Sequence, residues 1–253
     1  MAAEAAARTG AGLVSVATHP EHSNSFLARR PELMVSGLTP SDPEFKNSLN
    51  NLIHKATVLV IGPGLGQSPW SIEIFKAVMQ TPAAKQLPLV VDADALNFIA
   101  TNTHREKCFH SALTEPRDNW ILTPHPGEAA RLLNSSKETI QADRHQASNL
   151  LQSHYHGVCI LKGAGSLVSY KRGERLHTDK CHHGNPGMAS GGMGDILSGV
   201  LGGLLAQHLS LSDSAKLGVC IHAKSADLAA AAQGERGLLA TDLLPHIHHL
   251  VNP

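Results

Sequence analysis

A single acid follows a glycine-rich stretch, and this combination suits phosphate chemistry. Gly191, Gly192 and Gly194 leave their backbone N–H groups bare, and the apolar periodicity from Ile196 predicts that a helix begins there. Unpaired N–H groups at a helix N-terminus form an anion site suited to phosphate. Asp195 lies in the first turn, where a carboxylate either caps the helix or takes a proton from a hydroxyl that attacks the phosphate. The residues alone leave both roles open.

Four further loops, rich in glycine, proline or acidic residues, follow predicted strands. In chain order they read GPGLG (62–66), DADALN (92–97), TPHPGE (123–128) and KGAGS (162–166). Any one of them is most simply a turn after a strand. In parallel α/β sheets, however, ligands bind outside the carboxyl ends of the strands. Four such loops in series therefore predict a ligand site at the carboxyl ends of these strands.

Two common phosphate-binding loops are excluded. No Gly-Lys-Ser or Gly-Lys-Thr follows the glycines of residues 184–194, as a Walker A loop requires. GPGLGQ (62–67) has the first two glycines of a dinucleotide fingerprint, but Gln67 stands where the third is needed. A different phosphate-handling fold is therefore expected.

The elements that position these loops alternate along the chain. Five short, nearly continuous apolar runs predict buried strands; they span residues 13–18, 57–62, 88–94, 120–124 and 157–163. Residues 69–80 predict a helix with Ile72, Phe75 and Met79 on one side. Ser135 followed by Glu138 predicts a capping box for the next helix. Strand, helix and strand in series predict a parallel sheet covered by helices on both faces.

The second half of the chain has a different pattern. Residues 166–179 predict a hairpin with its turn at Arg172-Gly173. Two long helices are expected; they span residues 192–208 and 212–232. Thr241 or Asp242 would cap a last helix. No repeat, charge block or long linker divides the chain, so we expect one α/β domain over residues 1–253.

The composition limits the classes of partner. Lys+Arg and Asp+Glu number 21 each, so no basic excess favours a nucleic acid or an anionic membrane surface. The longest apolar run, residues 196–206, is far shorter than the roughly 20 residues of a membrane span. The four cysteines, Cys108, Cys159, Cys181 and Cys220, never fall at CxxC spacing, which favours a reducing cytoplasm.

Six motifs between residues 61 and 245 carry a family resemblance. In order they read IGPGLG, DADALN, TPHPGEAARLL, LKGAGSLV, GNPGMASGGMGDILSG and GLLATDLLP. Together they closely resemble the bacterial ADP-dependent NAD(P)H-hydrate dehydratases, members of the ribokinase-like superfamily. The resemblance implies a ribokinase-like α/β fold with a mostly parallel central sheet. It also implies an enzyme that phosphorylates the ring hydroxyl of hydrated NADH or NADPH and then eliminates phosphate, with ADP as co-substrate and Mg²⁺ present.

The resemblance also implies roles for particular residues. Asp195 is placed at the hydrate as the catalytic base, and Gly64 and His125 would contact the same substrate. The adenine nucleotide would lie against two loops; the residues implied are Lys162, Gly163, Ala164, Gly165, Ser166, Gly191, Gly192 and Gly194. Asn97 and Glu128 would orient the hydrate or the metal. No metal ligand is assigned.

The histidines need separate consideration, since the chain has 17 of them. His125 lies between Pro124 and Pro126, a rigid position that suits either a ligand contact or a stiff turn. CHHG (181–184) and HIHH (246–249) lack the spacing of a metal site, so a solvated loop and a helix surface are expected there.

The start of the chain departs from the family pattern. Residues 1–12 predict the end of a helix that stops at Gly10 or Gly12, whereas domains of this family normally begin earlier, with a glycine-bearing strand. A missing strand would expose a sheet edge. The epimerase domain that is often fused upstream in bacteria is also expected to be absent. The resemblance implies a homo-oligomer, such as a tetramer, and an NAD(P)H-hydrate epimerase as a partner in the same repair.

Two alternatives share the glycine loop and Asp195. One is a ribokinase-like kinase of a vitamin alcohol, of the thiazole or pyridoxal type. The other is an inactive remnant that still binds nucleotide, which the short N-terminus suggests. The block TPHPGEAARLL (123–133) favours the dehydratase over the kinase.

Overall fold

The computed structural model describes residues 1–104 and 117–252. Eight strands lie in these ranges: β1 Ser15–Thr18, β2 Met34–Gly37, β3 Leu59–Ile61, β4 Leu89–Val91, β5 Trp120–Leu122, β6 Val158–Leu161, β7 Leu167–Arg172 and β8 Arg175–Lys180. Twelve helices accompany them: α1 Ala2–Thr9, α2 Ser23–Arg29, α3 Phe45–Lys55, α4 Pro69–Gln80, α5 Pro82–Gln86, α6 Ala93–His104, α7 Pro126–Leu132, α8 Lys137–Ala142, α9 Arg144–Tyr155, α10 Met193–Ala206, α11 Leu211–Gln233 and α12 Leu243–Leu250. Of the helices in these two ranges, none is long and apolar enough to cross a membrane.

Six strands form the central sheet, in the order β3-β4-β5-β6-β7-β8. The strands β3 to β6 run parallel, and β7 and β8 extend the sheet as an antiparallel hairpin. The predicted hairpin is confirmed, and Gly173 at its turn has a left-handed φ of 59°, which glycine adopts without strain. Because the parallel strands all end on the same side, the loops that follow them meet at one edge of the sheet.

The first predicted strand does not belong to this sheet. β1 pairs in parallel with β2, which the sequence analysis did not assign, and the two form a separate sheet. The expectation of a buried strand over residues 13–18 was wrong, since Thr18 is the only buried residue of β1 and Leu13 is 83% exposed. Among the described residues, β1 and β2 pair only with each other, so each is an edge strand and neither lies inside the covered central sheet.

Helices cover both faces of the central sheet, as predicted. Along β4, Leu89 and Val91 pack into one apolar cluster and Val90 into another, which is the alternation of a strand buried on both sides. The first cluster includes Phe75 and Met79, so the predicted apolar side of α4 is confirmed. The second cluster includes residues of α10 and α11. The core therefore lies in two layers, one on each side of the sheet.

The capping box predicted at Ser135 was wrong by one residue. α8 begins after Ser136, whose Oγ accepts a hydrogen bond from Thr139 N at 3.1 Å. Ser135 belongs to the end of the preceding helix, because its N–H donates to the Ala130 carbonyl at 2.8 Å. An N–H already used in this way places its residue at a helix end instead of a helix start.

The two helices nearest the chain ends differ in how well the sequence predicted them. α1 ends at Gly10, as expected, with the glycine in the left-handed conformation of a C-cap (φ 115°). Asp242 stands just before α12, but its side chain does not cap that helix. Its Oδ2 instead accepts a hydrogen bond from Leu239 N at 2.9 Å, which closes the turn that precedes α12.

Helix α1 lies directly on α10 because α10 carries glycines on the shared face. A Cβ at Gly199 would overlap the Ala2 carbonyl oxygen, and one at Gly203 would lie 2.8 Å from the Ala6 carbonyl oxygen. Two backbones in direct contact leave no room for a side chain between them. This contact fixes the helix whose first turn carries Asp195.

Candidate active site

The loops predicted to bind ligand meet at the carboxyl edge of the parallel strands. They follow β3, β4, β5 and β6 and include residues 62–66, 92–97, 123–128 and 162–166. The start of α10 lies against them at Gly194. A Cβ on Gly194 would stand 3.2 Å from Lys162 Nζ and 3.4 Å from Asp92 Oδ2. The glycine therefore lets α10 approach both charged groups.

A buried ion pair lies at the centre of this edge. Lys162 Nζ is 2.6 Å from Asp92 Oδ1, and Ser198 Oγ donates to Asp92 Oδ2 at 2.7 Å. Asp92 is only 1% exposed. Burial opposes its ionisation, but the charge of Lys162 and these hydrogen bonds hold the pKa of the Asp92 carboxyl below its usual range. The pair joins the loops after β4 and β6 and, through Ser198, ties both to α10.

His125 and Glu128 form a capping box at the start of α7. His125 Nδ1 accepts from Gly127 N at 2.9 Å, and Glu128 Oε2 accepts from His125 N at 2.8 Å. Glu128 is buried, with Oε2 3.8 Å from Lys162 Nζ. Burial raises the pKa of the Glu128 carboxyl, and burial together with the Lys162 charge lowers the pKa of the His125 imidazole. His125 thus makes the stiff turn, and its half-exposed ring also remains accessible to a ligand.

The first turn of α10 offers backbone N–H groups without partners. Gly192 precedes the helix in a left-handed conformation (φ 86°), and Ile196 N bonds back to the Gly192 carbonyl at 3.1 Å. Within the described part of the chain, nothing accepts a hydrogen bond from the N–H groups of residues 193–195. The helix predicted over residues 192–208 is confirmed, and its start has the free donors that an anion site needs.

Asp195 lies in this first turn and is only partly buried. Its carboxylate has no hydrogen-bond partner among residues 1–104 and 117–252. Burial and the neighbouring Asp92 carboxylate raise the pKa of Asp195, against the opposing charges of the Met1 amino group and Lys162. A carboxylate that makes no cap contact and is held above its ordinary pKa is available to take up a proton.

The glycine loop after β3 lies against the end of β4, next to Asp92. A Cβ on Gly62 would overlap the Asp92 carbonyl oxygen, so the loop approaches the strand end closely. Gly66 N donates to Asp94 Oδ2 at 2.8 Å, which joins the loop to the start of α6. Gly64 has a positive φ of 67°, and no atom lies within 4 Å of the place where its Cβ would stand. The space beside Gly64 is therefore open to a ligand.

The loop after β6 turns at two glycines. Gly163 and Gly165 have positive φ angles of 146° and 69°. Lys162 N donates to the Pro124 carbonyl at 2.9 Å, and Ser166 Oγ donates to the Gly163 carbonyl at 3.3 Å. Gly163 and Ala164 are exposed, so the loop presents its backbone to any ligand.

The loop before α10 is anchored at both of its ends. Gly184 N and Asn185 Nδ2 donate to the two oxygens of Asp227 at 3.0 and 3.1 Å. At the other end Ser190 Oγ donates to the Leu238 carbonyl at 3.0 Å. These contacts hold the glycine-rich stretch over the start of α10 without using the N–H groups that face the site.

The structure brings most of the predicted site residues together. Lys162, Gly194 and Asp195 lie around Asp92. Glu128, which bonds His125, lies beside Lys162 and so joins His125 to these residues. Their binding and catalytic roles stay predictions. Asp92 as the buried partner and Ser198 as its donor were not predicted; only the strand-end position of DADALN (92–97) pointed to this place.

The side chain of Asn97 is engaged outside the group around Asp92. Its Oδ1 accepts from Arg131 Nε at 2.8 Å, which ties α6 to α7. Within the described ranges, no three His, Cys, Asp or Glu side chains group closely enough to hold a metal ion. The carboxylates at this edge could thus serve a metal as one or two ligands of a larger set.

Comparison with known proteins links these features to a family. A family described as NAD(P)H-hydrate dehydratase matches residues 1–249. The chain is similar to the bifunctional NAD(P)H-hydrate repair enzyme Nnr of Coxiella burnetii, with 52% identity over 253 residues that are 100% of this chain and 47% of that protein. It is also similar to the ADP-dependent (S)-NAD(P)H-hydrate dehydratase of Neisseria meningitidis, with 34% identity over 194 residues, 76% of this chain and 62% of that one.

Two further points come from these comparisons. The chain spans about half the length of the bifunctional curated relatives it matches. The fold is similar to that of a ribokinase-like superfamily protein of Enterococcus faecalis, with a TM-score of 0.80 and 28% identity, covering 99% of this chain and 80% of that one. The predicted ribokinase-like α/β fold is confirmed.

Proposed function

Since the chain belongs to the NAD(P)H-hydrate dehydratase family, we propose that it repairs hydrated NADH and NADPH. ADP phosphorylates the ring hydroxyl, and elimination of phosphate then gives NAD(P)H, with AMP and phosphate as the other products. Hydroxide is a poor leaving group at neutral pH whereas phosphate is a good one, so the nucleotide acts as a co-substrate. The ADP dependence in the name of the Neisseria meningitidis relative supports the choice of nucleotide.

The observation that carries this proposal is the placement of Asp195. A carboxylate with a raised pKa stands in the first turn of a helix whose bare N–H groups suit a phosphate. A general base works best when its pKa lies nearer the working pH. In the first step Asp195 accepts the hydroxyl proton while that oxygen bonds to the β-phosphorus of ADP and the bond to AMP breaks. In the second, the ring nitrogen lone pair expels phosphate, and a proton leaves the neighbouring ring carbon.

The remaining residues of the site would bind the two substrates. Gly64 and His125 contact the hydrate, since the space beside Gly64 is open and the His125 ring is half-exposed. The loops of residues 162–166 and 191–194 contact the nucleotide through their exposed backbone. Lys162 holds Asp92 in the resting protein, and its ammonium also suits a phosphate oxygen.

Mg²⁺ would enter with the nucleotide in this proposal. Mg²⁺ usually keeps several waters and is bound by one or two carboxylates together with substrate phosphates. Glu128 would supply one such carboxylate, as the resemblance implies, while Asp92 is already engaged by Lys162 and Ser198 and Asp195 acts as the base. When bound, the ion supplies positive charge to the phosphate oxygens.

We also propose a setting for the reaction. The protein would act as a homo-oligomer, such as a tetramer. It would also act together with an NAD(P)H-hydrate epimerase, and the bifunctional name of the Coxiella burnetii relative is compatible with a second repair activity. A cytoplasmic location fits the cysteines: Cys159, Cys181 and Cys220 are free thiols, while Cys108 lies outside the described residues.

The test is turnover of hydrated NADH by the full chain with ADP or with ATP. The near-ultraviolet absorbance of the restored dihydronicotinamide should rise faster with ADP. Faster turnover with ATP would contradict the assigned nucleotide. Phosphorylation of hydroxyethylthiazole or pyridoxal without hydrate turnover would favour the vitamin-alcohol kinase, and ADP binding without either reaction would favour the inactive remnant.

A further inference from the structure

Arg144 lies behind the loop of residues 162–166 and is not among the predicted site residues. It is the first residue of α9, and its guanidinium reaches three carbonyl oxygens. Nη1 donates to the Ala164 carbonyl at 2.5 Å. Nη2 lies 3.3 Å from the carbonyl oxygen of Leu161 and 3.5 Å from that of Lys162. All of these acceptors belong to the loop or to the strand residue that leads into it.

The charge of this guanidinium has no acidic partner. In the part of the chain that the structure describes, no carboxylate lies within ion-pair distance of Arg144. Burial lowers the pKa of Arg144, although a guanidinium stays charged at neutral pH. A partly buried charge must be satisfied by hydrogen bonds. Arg144 obtains them from this one loop through Nη1 and Nη2, while its buried Nε has no partner in the described part of the chain. Its charge and the loop conformation therefore stabilise each other.

These contacts determine where the N–H groups of the loop point. No cis peptide bond occurs among the described residues, and the C=O and N–H of a trans peptide point in opposite directions. The N–H groups of Gly163 and Gly165 share peptide units with the Lys162 and Ala164 carbonyls, so they point away from Arg144. Neither has an acceptor within residues 1–104 and 117–252. The Ala164 N–H between them has no acceptor in those ranges either, and successive free N–H groups in a turn form a concave site for anionic oxygens.

We propose that Arg144 is a positioning residue for the nucleotide. It does not touch the ligand; it holds the Lys162 and Ala164 carbonyls behind the loop and so directs the N–H groups of Gly163 and Gly165 towards nucleotide oxygens. Gly163 permits this arrangement, since a Cβ there would lie 2.9 Å from Arg144 Nη2. The inference rests on the proposed function, because that function assigns the loop to the nucleotide.

The test measures ADP binding by calorimetry to the full chain in four forms. These are the wild type, Arg144→Ala, Arg144→Lys and the control Arg175→Ala. Arg175 is exposed at the start of β8, at the end of the hairpin away from the loop, so the control removes an arginine without touching the site. Because hydrogen bonds from a charged donor are lost, we expect the Kd for ADP to rise roughly tenfold or more in Arg144→Ala. The rise should be smaller in Arg144→Lys and absent in the control.

Two further readouts distinguish positioning from general destabilisation. Turnover at saturating ADP should stay within about threefold of the wild type, because the lost contacts act on nucleotide binding. Free guanidinium ion, added at a non-denaturing concentration, should restore part of the ADP affinity of Arg144→Ala. A general loss of stability would not respond in this way.

Several results would overturn the inference. One is a Kd for ADP within about twofold of the wild type in the folded Arg144 variants. Another is a loss of turnover with unchanged ADP affinity. Thermal unfolding establishes which variants are folded, and Arg144→Lys carries the comparison where Arg144→Ala does not fold. Failure of the wild type itself to bind ADP would instead overturn the proposed function, and the inference with it.

Discussion

Replacing Asp195 by asparagine removes the charge of this side chain and keeps its size. If Asp195 is the base, turnover should fall by roughly 10²–10⁴, the usual contribution of a positioned general base. Nucleotide affinity should hold or rise slightly, because the change removes a carboxylate beside the polyphosphate. If Asp195 has no catalytic role, turnover should stay nearly normal in the folded variant.

The structure also sets the expected change in stability. The Asp195 carboxylate makes no hydrogen bond within the described residues, so asparagine loses no contact of that kind. The free energy of unfolding should therefore change by less than about 1 kcal/mol, the lower part of the capping range. Because the pKa of Asp195 is raised in the folded state, its ionisation disfavours folding. The protonated carboxyl correspondingly favours the folded state. This contribution to the unfolding free energy is fully present below the unfolded pKa of about 3.9 and is lost as the pH rises through the folded pKa.

The assay is the unfolding free energy of both proteins, measured as a function of pH. Asparagine does not titrate here, so the unfolding free energy of Asp195→Asn should gain on the wild type as the pH rises through that window. Asp213→Asn is the matched control, since Asp213 occupies the same position in the first turn of α11 and bonds Ser210. The control should lose a little stability and no turnover. Near-normal hydrate turnover in folded Asp195→Asn would refute the catalytic role.

Two further predictions concern the packing around the site. Lys162→Ala should weaken ADP binding more than it slows turnover. It should also lower the free energy of unfolding by about 3–5 kcal/mol in urea titrations, because the buried Asp92 carboxylate loses its counter-charge. Adding Asp92→Asn should recover part of that loss, and simple additivity would contradict the pairing. Gly199→Ala should cost about 1–3 kcal/mol in thermal unfolding, because its Cβ overlaps the Ala2 carbonyl oxygen. Gly202→Ala should cost less, since its Cβ meets only the tip of a side chain; equal shifts would argue against the backbone contact.

The sequence predicted those elements whose determinants lie within the element itself or directly beside it. The helix at 69–80 matches α4 residue for residue, because proline at its start and the spacing of Phe75 and Met79 lie within the element itself. The range predicted for α10, residues 192–208, begins one residue before the helix, whereas the apolar periodicity alone placed its start three residues late, at Ile196. β1 was placed in the wrong sheet because an apolar run carries no information about which strand it will pair with.

The centre of the site could not be predicted because it depends on contacts between distant residues. Lys162 and Asp92 are 70 positions apart, and each alone is a charged residue after a strand. Ser198 is a single hydroxyl in an apolar run, 106 positions from the carboxylate to which it donates. Arg144 likewise resembles an ordinary residue in the first turn of a helix. The expectation of an earlier first strand stays a prediction.

The backbone contact between α1 and α10 has a consequence for genetic suppression. When two side chains collide, a smaller residue at the partner position can restore the fit. At Gly199 the opposing atom is the Ala2 carbonyl oxygen, which every amino acid carries. A second-site change at residue 2 therefore cannot remove the collision. We expect revertants of Gly199→Ala to restore glycine itself or to move α1 as a whole.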